Sequence, residues 1–289
     1  MASPPLLGPI ALCTLVAADG AGLVAAYTGW LHQQVAASGA LDGATASAIG
    51  QPQLAGNPSW LLQNAAGRTW LQVIECPLAP PRDHLATYGW LAMEVLVGDV
   101  DQLAASLADS PFELLRPAAD LDLSEQIRAC QARGPAGEIL YLTQVKAPVP
   151  PFELPRCEAP VDHLFIPVLS TPSRELSLAQ YAQLADRDGL CFDTRITVVN
   201  QARGFDLQRR HPVATLQLAG DSLLELDQIG GTVGTPQGIC QGIACVAFAC
   251  QRAAAGNSLP LQTGPFSGSA VSAHTGFAGE HYVLVHPQP

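Results

Sequence analysis

The sequence predicts an α+β fold in which a strand, a helix and three further strands are repeated four times. Two stretches about half a chain apart, GPAGEILYLTQV at 134–145 and FAGEHYVLVHP at 277–287, have the pattern of a glycine turn followed by a β-rich strand. Four opening strands precede them, and helical patterns follow these openings. A proline-dense segment, KAPVPPFELPRCEAP at 146–160, divides the chain into halves. Together these observations predict four βαβββ units paired into two modules.

The first half supplies two units, within a predicted module at 10–145. The first unit opens with the apolar strand IALCTLVAADG, continues through the helical pattern AGLVAAYTGWLHQQVAASG, and reaches the alternating stretches PSWLLQN and GRTWLQVIE. The second unit opens with GWLAMEVLVGDVDQLAASLADS, whose helix places Val100, Leu103 and Leu107 on one apolar face. Its later strands are FELLRP, SEQIRACQARG and EILYLTQV.

The second half repeats this plan within a predicted module at 161–286. VDHLFIPVLSTPSRELSLAQYAQLAD supplies a strand and a helix, and FDTRITVVN, HPVATLQLAG and DSLLELDQI supply three strands. The fourth unit opens with QGIACVAFACQRA and closes with EHYVLVHP. The segment 146–160, rich in proline and poor in periodicity, is the predicted linker between the modules.

Composition narrows the class of partner and compartment. Of the 289 residues, 48% are hydrophobic and 13% are charged, and the net charge of −11 argues against a nucleic-acid partner, which would need clustered Lys and Arg. No apolar stretch approaches the roughly 20 residues that a membrane span requires. Eight cysteines without a CxxC pair are typical of reduced thiols, which predicts a cytoplasmic protein without structural zinc.

The order and spacing of these motifs resemble those of the vicinal oxygen chelate superfamily, which includes glyoxalase I, bleomycin-resistance proteins and extradiol dioxygenases. GWLAMEVLVGDVDQLAASL joined to GPAGEILYLTQV, and VDHLFIPVLS joined to DSLLELDQI, carry the resemblance, which runs from about Ile10 to His286. It implies that each module curls a mixed sheet into an open cup around a ligand, with flanking helices. In members that are metalloenzymes, ligands on the opening and final strands of paired units converge on one divalent cation.

In the first module, the resemblance places the metal-ligand positions on residues that do not suit a metal. They are Leu12 and Ala92 on the opening strands, and Gln72 and Tyr141 on the final strands. Leu and Ala offer no donor, and a neutral Gln or Tyr is a weak one. The first module is therefore expected to lack the chelate.

In the second module, the same positions fall on His163, Glu225, Ala244 and Val283. Imidazole and carboxylate are sensible ligands, but two donors rarely hold a catalytic metal without a third from the protein. We therefore predict no cofactor, and His163 with Glu225 is the remaining candidate pair for a divalent metal. The missing second His and final Glu disfavour a dioxygenase.

Glu94 and His163 are the main candidates for acid–base chemistry. Glu94 interrupts the apolar strand WLAMEVLV, and a carboxyl on a buried face either acts as a general base with a raised pKa or pairs with a group such as Arg128. His163 paired with Glu225 would form an acid–base dyad, or it would be a core histidine satisfied by that carboxylate.

Four further residues are candidates for contact with a ligand. Tyr141 and Thr143 share a strand face and are predicted to line the first cup, although a buried Tyr often makes one hydrogen bond and nothing more. Trp70 and Gln72 would offer an aromatic wall and an amide, which suit an apolar or planar ligand with a carbonyl group, unless Trp70 only packs.

These residues predict an enzyme that carries out proton-transfer, lyase or isomerase chemistry on a small apolar or aromatic carbonyl compound. A GxSxG elbow, a phosphate-binding glycine loop and an HExxH helix are missing from the sequence, which disfavours hydrolases and nucleotide enzymes. The alternative is a non-catalytic protein of the bleomycin-resistance kind that sequesters a small molecule. A homodimer is left open.

Overall fold

The chain folds into two eight-stranded mixed sheets built from four units. The computed structural model describes residues 5–122, 124–231, 234–236, 238–252 and 258–287. Within these residues, sixteen strands and five short α-helices are present, and the predicted α+β class is confirmed.

The elements follow the predicted order of units. The first unit comprises β1 (Leu7–Ala17), α1 (Gly20–Trp30), β2 (Gln34–Ala40), α2 (Gly43–Ala48), β3 (Pro58–Gln63) and β4 (Thr69–Glu75). The second comprises β5 (Gly89–Val97), α3 (Val100–Ser106), β6 (Glu113–Leu121), β7 (Ser124–Arg133) and β8 (Ile139–Val145). The third comprises β9 (Val161–Thr171), α4 (Arg174–Ala185), β10 (Leu190–Arg195), α5 (Thr197–Ala202), β11 (Arg210–Gln217) and β12 (Leu223–Gln228). The described part of the fourth contains strands only: β13 (Gly242–Cys250), β14 (Leu259–Leu261), β15 (Ser269–Thr275) and β16 (His281–Pro287).

After each of the first three opening strands, a short polar side chain caps the start of the helix that follows. Asp19 accepts a hydrogen bond from the Gly22 amide at 2.8 Å, and Asp99 accepts one from the Gln102 amide at 2.9 Å. Ser173 has the same N-cap role for α4. These caps satisfy amides at the helix start that have no partner within the helix, so the sequence fixes where each helix begins.

The sheets join units across the two halves of the chain. Sheet A has the strand order β14-β15-β16-β13-β1-β4-β3-β2, and sheet B has the order β10-β11-β12-β9-β5-β8-β7-β6. At the centre of sheet A, β1 runs antiparallel to β13, and at the centre of sheet B, β5 runs antiparallel to β9. The predicted modules 10–145 and 161–286 therefore do not each form one sheet, because every opening strand pairs with an opening strand from the other half.

One buried hydrogen bond nevertheless joins the two units of each half. Tyr27 of α1 donates to Glu138 Oε1 at 3.0 Å, and Tyr181 of α4 donates to Glu280 Oε1 at 2.8 Å. Both glutamates end the glycine turns recognised in the sequence. A Cβ on the first glycine of either turn would lie 1.9 Å from a carboxylate oxygen, so only glycine leaves room for this arrangement.

The largest hydrophobic cluster contains buried residues from the central strands of both sheets, including Leu15, Met93, Leu169 and Val246. Sheets A and B thus share one core, and each has its own cluster on the opposite, concave side. We call these concave sides cup A and cup B.

The predicted linker packs against sheet B. Phe152 and Leu154 pack against a small apolar cluster that contains Leu96, Phe165 and Leu223. The Gln217 side chain fixes this segment through hydrogen bonds with both the amide and the carbonyl of Glu153. The segment 146–160 therefore packs against sheet B as well as connecting the two halves.

Candidate functional site

Cup B contains a cavity of about 440 Å³ that brings together four of the predicted site residues. Glu94, Tyr141, Thr143 and Glu225 all line it. The edge strands β6 and β10 line the same cavity as the central strands, so sheet B curls around it. A volume of this size is typical of sites for small molecules.

The strand register explains this convergence. Glu94 on β5 lies opposite Tyr141 on β8, and Glu225 on β12 lies opposite Val168 on β9. Strands β5 and β9 pair at the centre of the sheet, which places these two rows side by side. Thr143 joins them because it follows Tyr141 by two residues and shares its face.

The same register corrects the predicted opening-strand positions. The residues that lie opposite the final-strand positions in cup B are Glu94 and Val168, whereas Ala92 and His163 were predicted. In cup A they are Thr14 and Ala247, whereas Leu12 and Ala244 were predicted, opposite Gln72 and Val283. The opening strands contain bulges, and each bulge shifts the count of residues along the strand.

The two glutamates of the cavity have strongly perturbed acidity. Burial raises the pKa of Glu94 to about 8, with a further contribution from the charge of Glu225, while the Thr143 hydroxyl opposes the rise by hydrogen bonding. Burial also raises the pKa of Glu225 to about 7. Glu225 keeps some surface open to the cavity although it lies deep in the protein. Both carboxyls therefore titrate near neutral pH.

Asp227 adds a third carboxyl on the same face of β12. It is fully buried, and its pKa is raised by burial and by the nearby carboxylates of Glu225 and Glu94. Its contact with Glu225 influences both pKa values but falls short of a well-formed hydrogen bond, so neither Asp227 oxygen has a partner among the described residues. The sequence signal for this residue was its two-residue spacing from Glu225 in LLELDQ, which puts both on one face.

The Tyr141 hydroxyl is buried beside these carboxyls and has no hydrogen-bond partner among the described residues. Burial, followed by the charges of Asp227, Glu225 and Glu94, raises its pKa well above the usual value. The phenol therefore stays protonated. An unpartnered buried hydroxyl costs free energy unless water or a ligand satisfies it, which makes Tyr141 a donor available to a ligand.

An ion pair crosses the mouth of the cavity. Arg195 at the end of β10 donates through Nε to Asp122, just beyond β6, at 2.6 Å, and also to Gln208. Sequence reasoning did not identify this pair. Arg128, the predicted structural partner of Glu94, instead pairs with Asp101 on the outside of the sheet.

His163 lies outside the cup. Its Nδ1 is 2.6 Å from Asp162 Oδ1, and Asn64 Nδ2 donates to the same oxygen at 2.5 Å. Glu225 lies opposite Val168, five residues away along β9, which is roughly 16 Å at the usual strand rise. The predicted His163–Glu225 pair, as a dyad or as metal ligands, is therefore wrong.

Trp70 and Gln72 also lie outside cup B. Trp70 is in the shared core and donates to Gln33 Oε1 at 2.7 Å. Gln72 is on the concave side of sheet A and donates to Ser59 at 3.1 Å, beside a space of about 220 Å³. Most of cup A is filled by the apolar segment 41–54. Trp70 therefore packs in the core, the alternative left open by the sequence, and does not form an aromatic wall beside the Gln72 amide.

The residues of cup B do not fit the divalent metal that the resemblance implies. Val168 offers no donor, and the Tyr141 phenol is protonated. Across the described ranges, no group of three or more His, Cys, Asp or Glu side chains could hold a metal ion. All eight cysteines are free thiols.

None of the described helices is long and apolar enough to cross a membrane.

Solved structures share this architecture, whereas no protein-family model and no curated protein matches the sequence. Glyoxalase I from Zea mays superposes with a TM-score of 0.65 at 14% identity, covering 96% of this chain and 92% of the maize chain. A putative dioxygenase from Bacillus subtilis superposes with a TM-score of 0.63 at 10% identity, covering 100% of this chain and 87% of its own. At these identities the similarity concerns the fold. The chain has the vicinal oxygen chelate fold, and the predicted resemblance is confirmed at that level.

Proposed function

We propose that this chain is an enzyme that catalyses proton transfer, of the lyase or isomerase type, on a small apolar or aromatic carbonyl compound in cup B. The observation that carries the proposal is the pair of carboxyls, Glu94 and Glu225, that lines an open cavity with pKa values near neutral. A general acid or base is most effective when its pKa lies near the working pH. Groups with such perturbed pKa values cluster at functional sites.

The pair can supply both an acid and a base. Because the two carboxyls interact, they titrate as a unit, and near neutral pH they share about one proton. The ionised carboxylate would remove a proton from the carbon next to the carbonyl group, and the protonated one would donate to the carbonyl oxygen. The enol then loses its hydroxyl proton to the second carboxylate while the first carboxyl returns a proton to carbon, which restores the pair. Delivery of that proton to the opposite face of the carbon gives an isomer. The Tyr141 hydroxyl would donate a hydrogen bond to the same oxygen and stabilise its developing negative charge.

Deuterium exchange tests this proposal without knowledge of the natural substrate. The intact protein is incubated in D₂O with a panel of small aromatic aldehydes and ketones that carry a hydrogen on the saturated carbon next to the carbonyl, and exchange at that carbon is followed by NMR. We expect catalysed exchange with at least one compound. Glu94→Gln should lower the exchange rate by about two to four orders of magnitude, the usual contribution of a positioned acid–base group.

Glu138→Gln is the matched control, because Glu138 is also a buried carboxyl with a raised pKa but lies in the turn that contacts Tyr27. It should leave the exchange rate per folded molecule unchanged. The absence of exchange across the panel, or equal exchange by native protein and Glu94→Gln, would sink the proposal.

The apolar part of the wall favours one alternative. Phe192, Ile196, Val198 and Leu207 line the cavity opposite the carboxyls. Such a wall also suits a non-catalytic protein that sequesters a small molecule. In that case a bound carbonyl compound would be recovered unchanged, without deuterium, after saturation of the cup.

A further inference from the structure

The charges around cup B are distributed unevenly between its interior and its mouth. The interior groups that titrate are Glu94 on β5, Tyr141 on β8, and Glu225 and Asp227 on β12. The mouth carries Arg116 and Asp120 on β6, Asp122 just beyond it, and Arg195 on β10. Among the described residues that line the cavity, the basic ones thus lie on the edge strands, while Glu94 and Glu225 lie on inner strands. Asp227 is buried next to Glu225 and does not line the cavity.

Within the part of the chain that the structure describes, no ion pair neutralises the interior carboxyls. Arg195 is paired with Asp122 across the mouth. Both oxygens of Asp227 lack a hydrogen-bond partner among the described residues, although this side chain is fully buried. Buried charges are normally paired, and an unpaired buried polar group costs free energy. Glu94 and Glu225, the two carboxyls that line the cavity, form no salt bridge with a described residue, so a cationic partner for them would have to come from a molecule that enters the cup.

We propose that the compound bound in cup B carries a positively charged nitrogen, as an ammonium or amidinium group, held by the Glu94–Glu225 pair when one of the two carboxyls is ionised and the other keeps its proton. This inference rests on the proposed function, because it names the substrate class of the same cup. The apolar body of the compound would lie against Phe192 and Ile196, which line the cavity with the two glutamates. An organic cation fits better than a bare metal ion because Val168 and the apolar wall offer no further ligands.

Such a cation would also prepare the base for catalysis. In the empty cup, burial keeps Glu94 and Glu225 partly protonated at neutral pH. A nearby positive charge favours the ionised form of a carboxyl, so binding releases a proton and leaves a carboxylate facing the substrate. Binding should accordingly become tighter as the pH rises toward 8, because protons compete with the cation for the same carboxylates.

Calorimetric titration of the intact protein with three benzyl compounds tests this inference. Benzylammonium carries the positive charge, benzyl alcohol is a neutral compound of similar shape, and benzoate is an anion. We expect benzylammonium to bind at least roughly tenfold more tightly than benzyl alcohol, as a charge-assisted hydrogen bond would provide. Benzoate should not bind. Heats measured in phosphate and in Tris should differ for benzylammonium, since protons are released to the buffer.

Variants locate the effect. Glu94→Gln and Glu225→Gln should each weaken benzylammonium by about tenfold or more and change benzyl alcohol by less than about twofold, because only the cation depends on the charge. Glu138→Gln should change neither affinity. If a variant fails to fold, the comparison of the three compounds on the native protein still decides.

Two results would overturn the inference. One is benzyl alcohol binding as tightly as benzylammonium, and the other is stoichiometric binding of Mn²⁺ that displaces benzylammonium. Either would leave proton transfer to be judged separately by deuterium exchange. Conversely, selective benzylammonium binding without deuterium exchange on any carbonyl compound would uphold the inference and reject the proposed function.

Discussion

The Glu94 carboxyl is buried next to another carboxyl, a phenol and a hydroxyl, and no described residue serves as its basic partner. A carboxyl in such a place is more readily kept neutral than ionised, and its free energy of ionisation depends on what enters the cavity. This responsiveness distinguishes Glu94 from the surface carboxylates that already hold an arginine, such as Asp101 with Arg128. The residue is thus suited to change its protonation when a ligand binds.

Glu94 should therefore make stability fall as the pH rises. Its pKa is about 8 in the folded chain against 4.5 for the unperturbed group, so between these values the unfolded chain has lost a proton that the folded chain keeps. Glu94→Gln removes this penalty. The gain in free energy of unfolding over the native protein should be about 2–4 kcal/mol larger at pH 8 than at pH 5. Denaturant unfolding at both pH values measures it, and a gain independent of pH would show that Glu94 is ionised in the folded chain.

The sequence indicated part of this site because period-two arithmetic works within a regular strand. Glu94 interrupts an apolar run, and Tyr141 and Thr143 alternate on a short strand without a bulge, so their common face could be predicted. His163 could not be placed in the same way. Register shifts between β5 and β9 separate it from the cup, and the sequence does not mark where a bulge falls.

At the scale of the element, the glycine turns are structural rather than catalytic. The repeat of GPAGE and GFAGE in the sequence indicated duplication, but the buried glutamate in each turn holds a helix through a tyrosine. Local sequence shows the turn, whereas the tyrosine that meets it is more than 90 residues away. Such a partner follows only from the packing of α1 and α4 against the turns.

Two tyrosine substitutions should separate these roles. Tyr27→Phe removes the hydrogen bond to the buried Oε1 of Glu138 and should lower the free energy of unfolding by about 1–3 kcal/mol. Tyr141→Phe removes a hydroxyl that has no partner among the described residues and should change it by less than about 0.5 kcal/mol. Equal losses in the two variants would mean that Tyr141 is satisfied in the free protein.

At the scale of the whole molecule, the pairing of the units was the part of the fold that sequence could not supply. All four opening strands are apolar and similar in pattern, so any one of them could pair with any other. Proximity along the chain favoured pairing within each half. Each of the antiparallel pairs β1·β13 and β5·β9 instead joins a strand that precedes the linker to a strand that follows it. Cup B, with Glu94 from the first half and Glu225 from the second, exists only because of this exchange.

The pairing of opening strands from different halves predicts how the molecule responds to a cut in the linker. A protease site inserted after the exposed Pro148 allows the folded chain to be nicked between β8 and β9. The two halves should remain together on gel filtration and unfold in one cooperative transition, because each sheet and the shared core contain strands from both halves.

The half 1–148 expressed alone should not form a folded monomer, since β1 and β5 would each expose an unpaired apolar edge. Equimolar mixing of separately denatured halves, followed by removal of denaturant, should restore the preference of cup B for benzylammonium over benzyl alcohol. Separation of the nicked chain into two folded monomers would contradict this pairing, because each half would then have to pair its opening strands with one another.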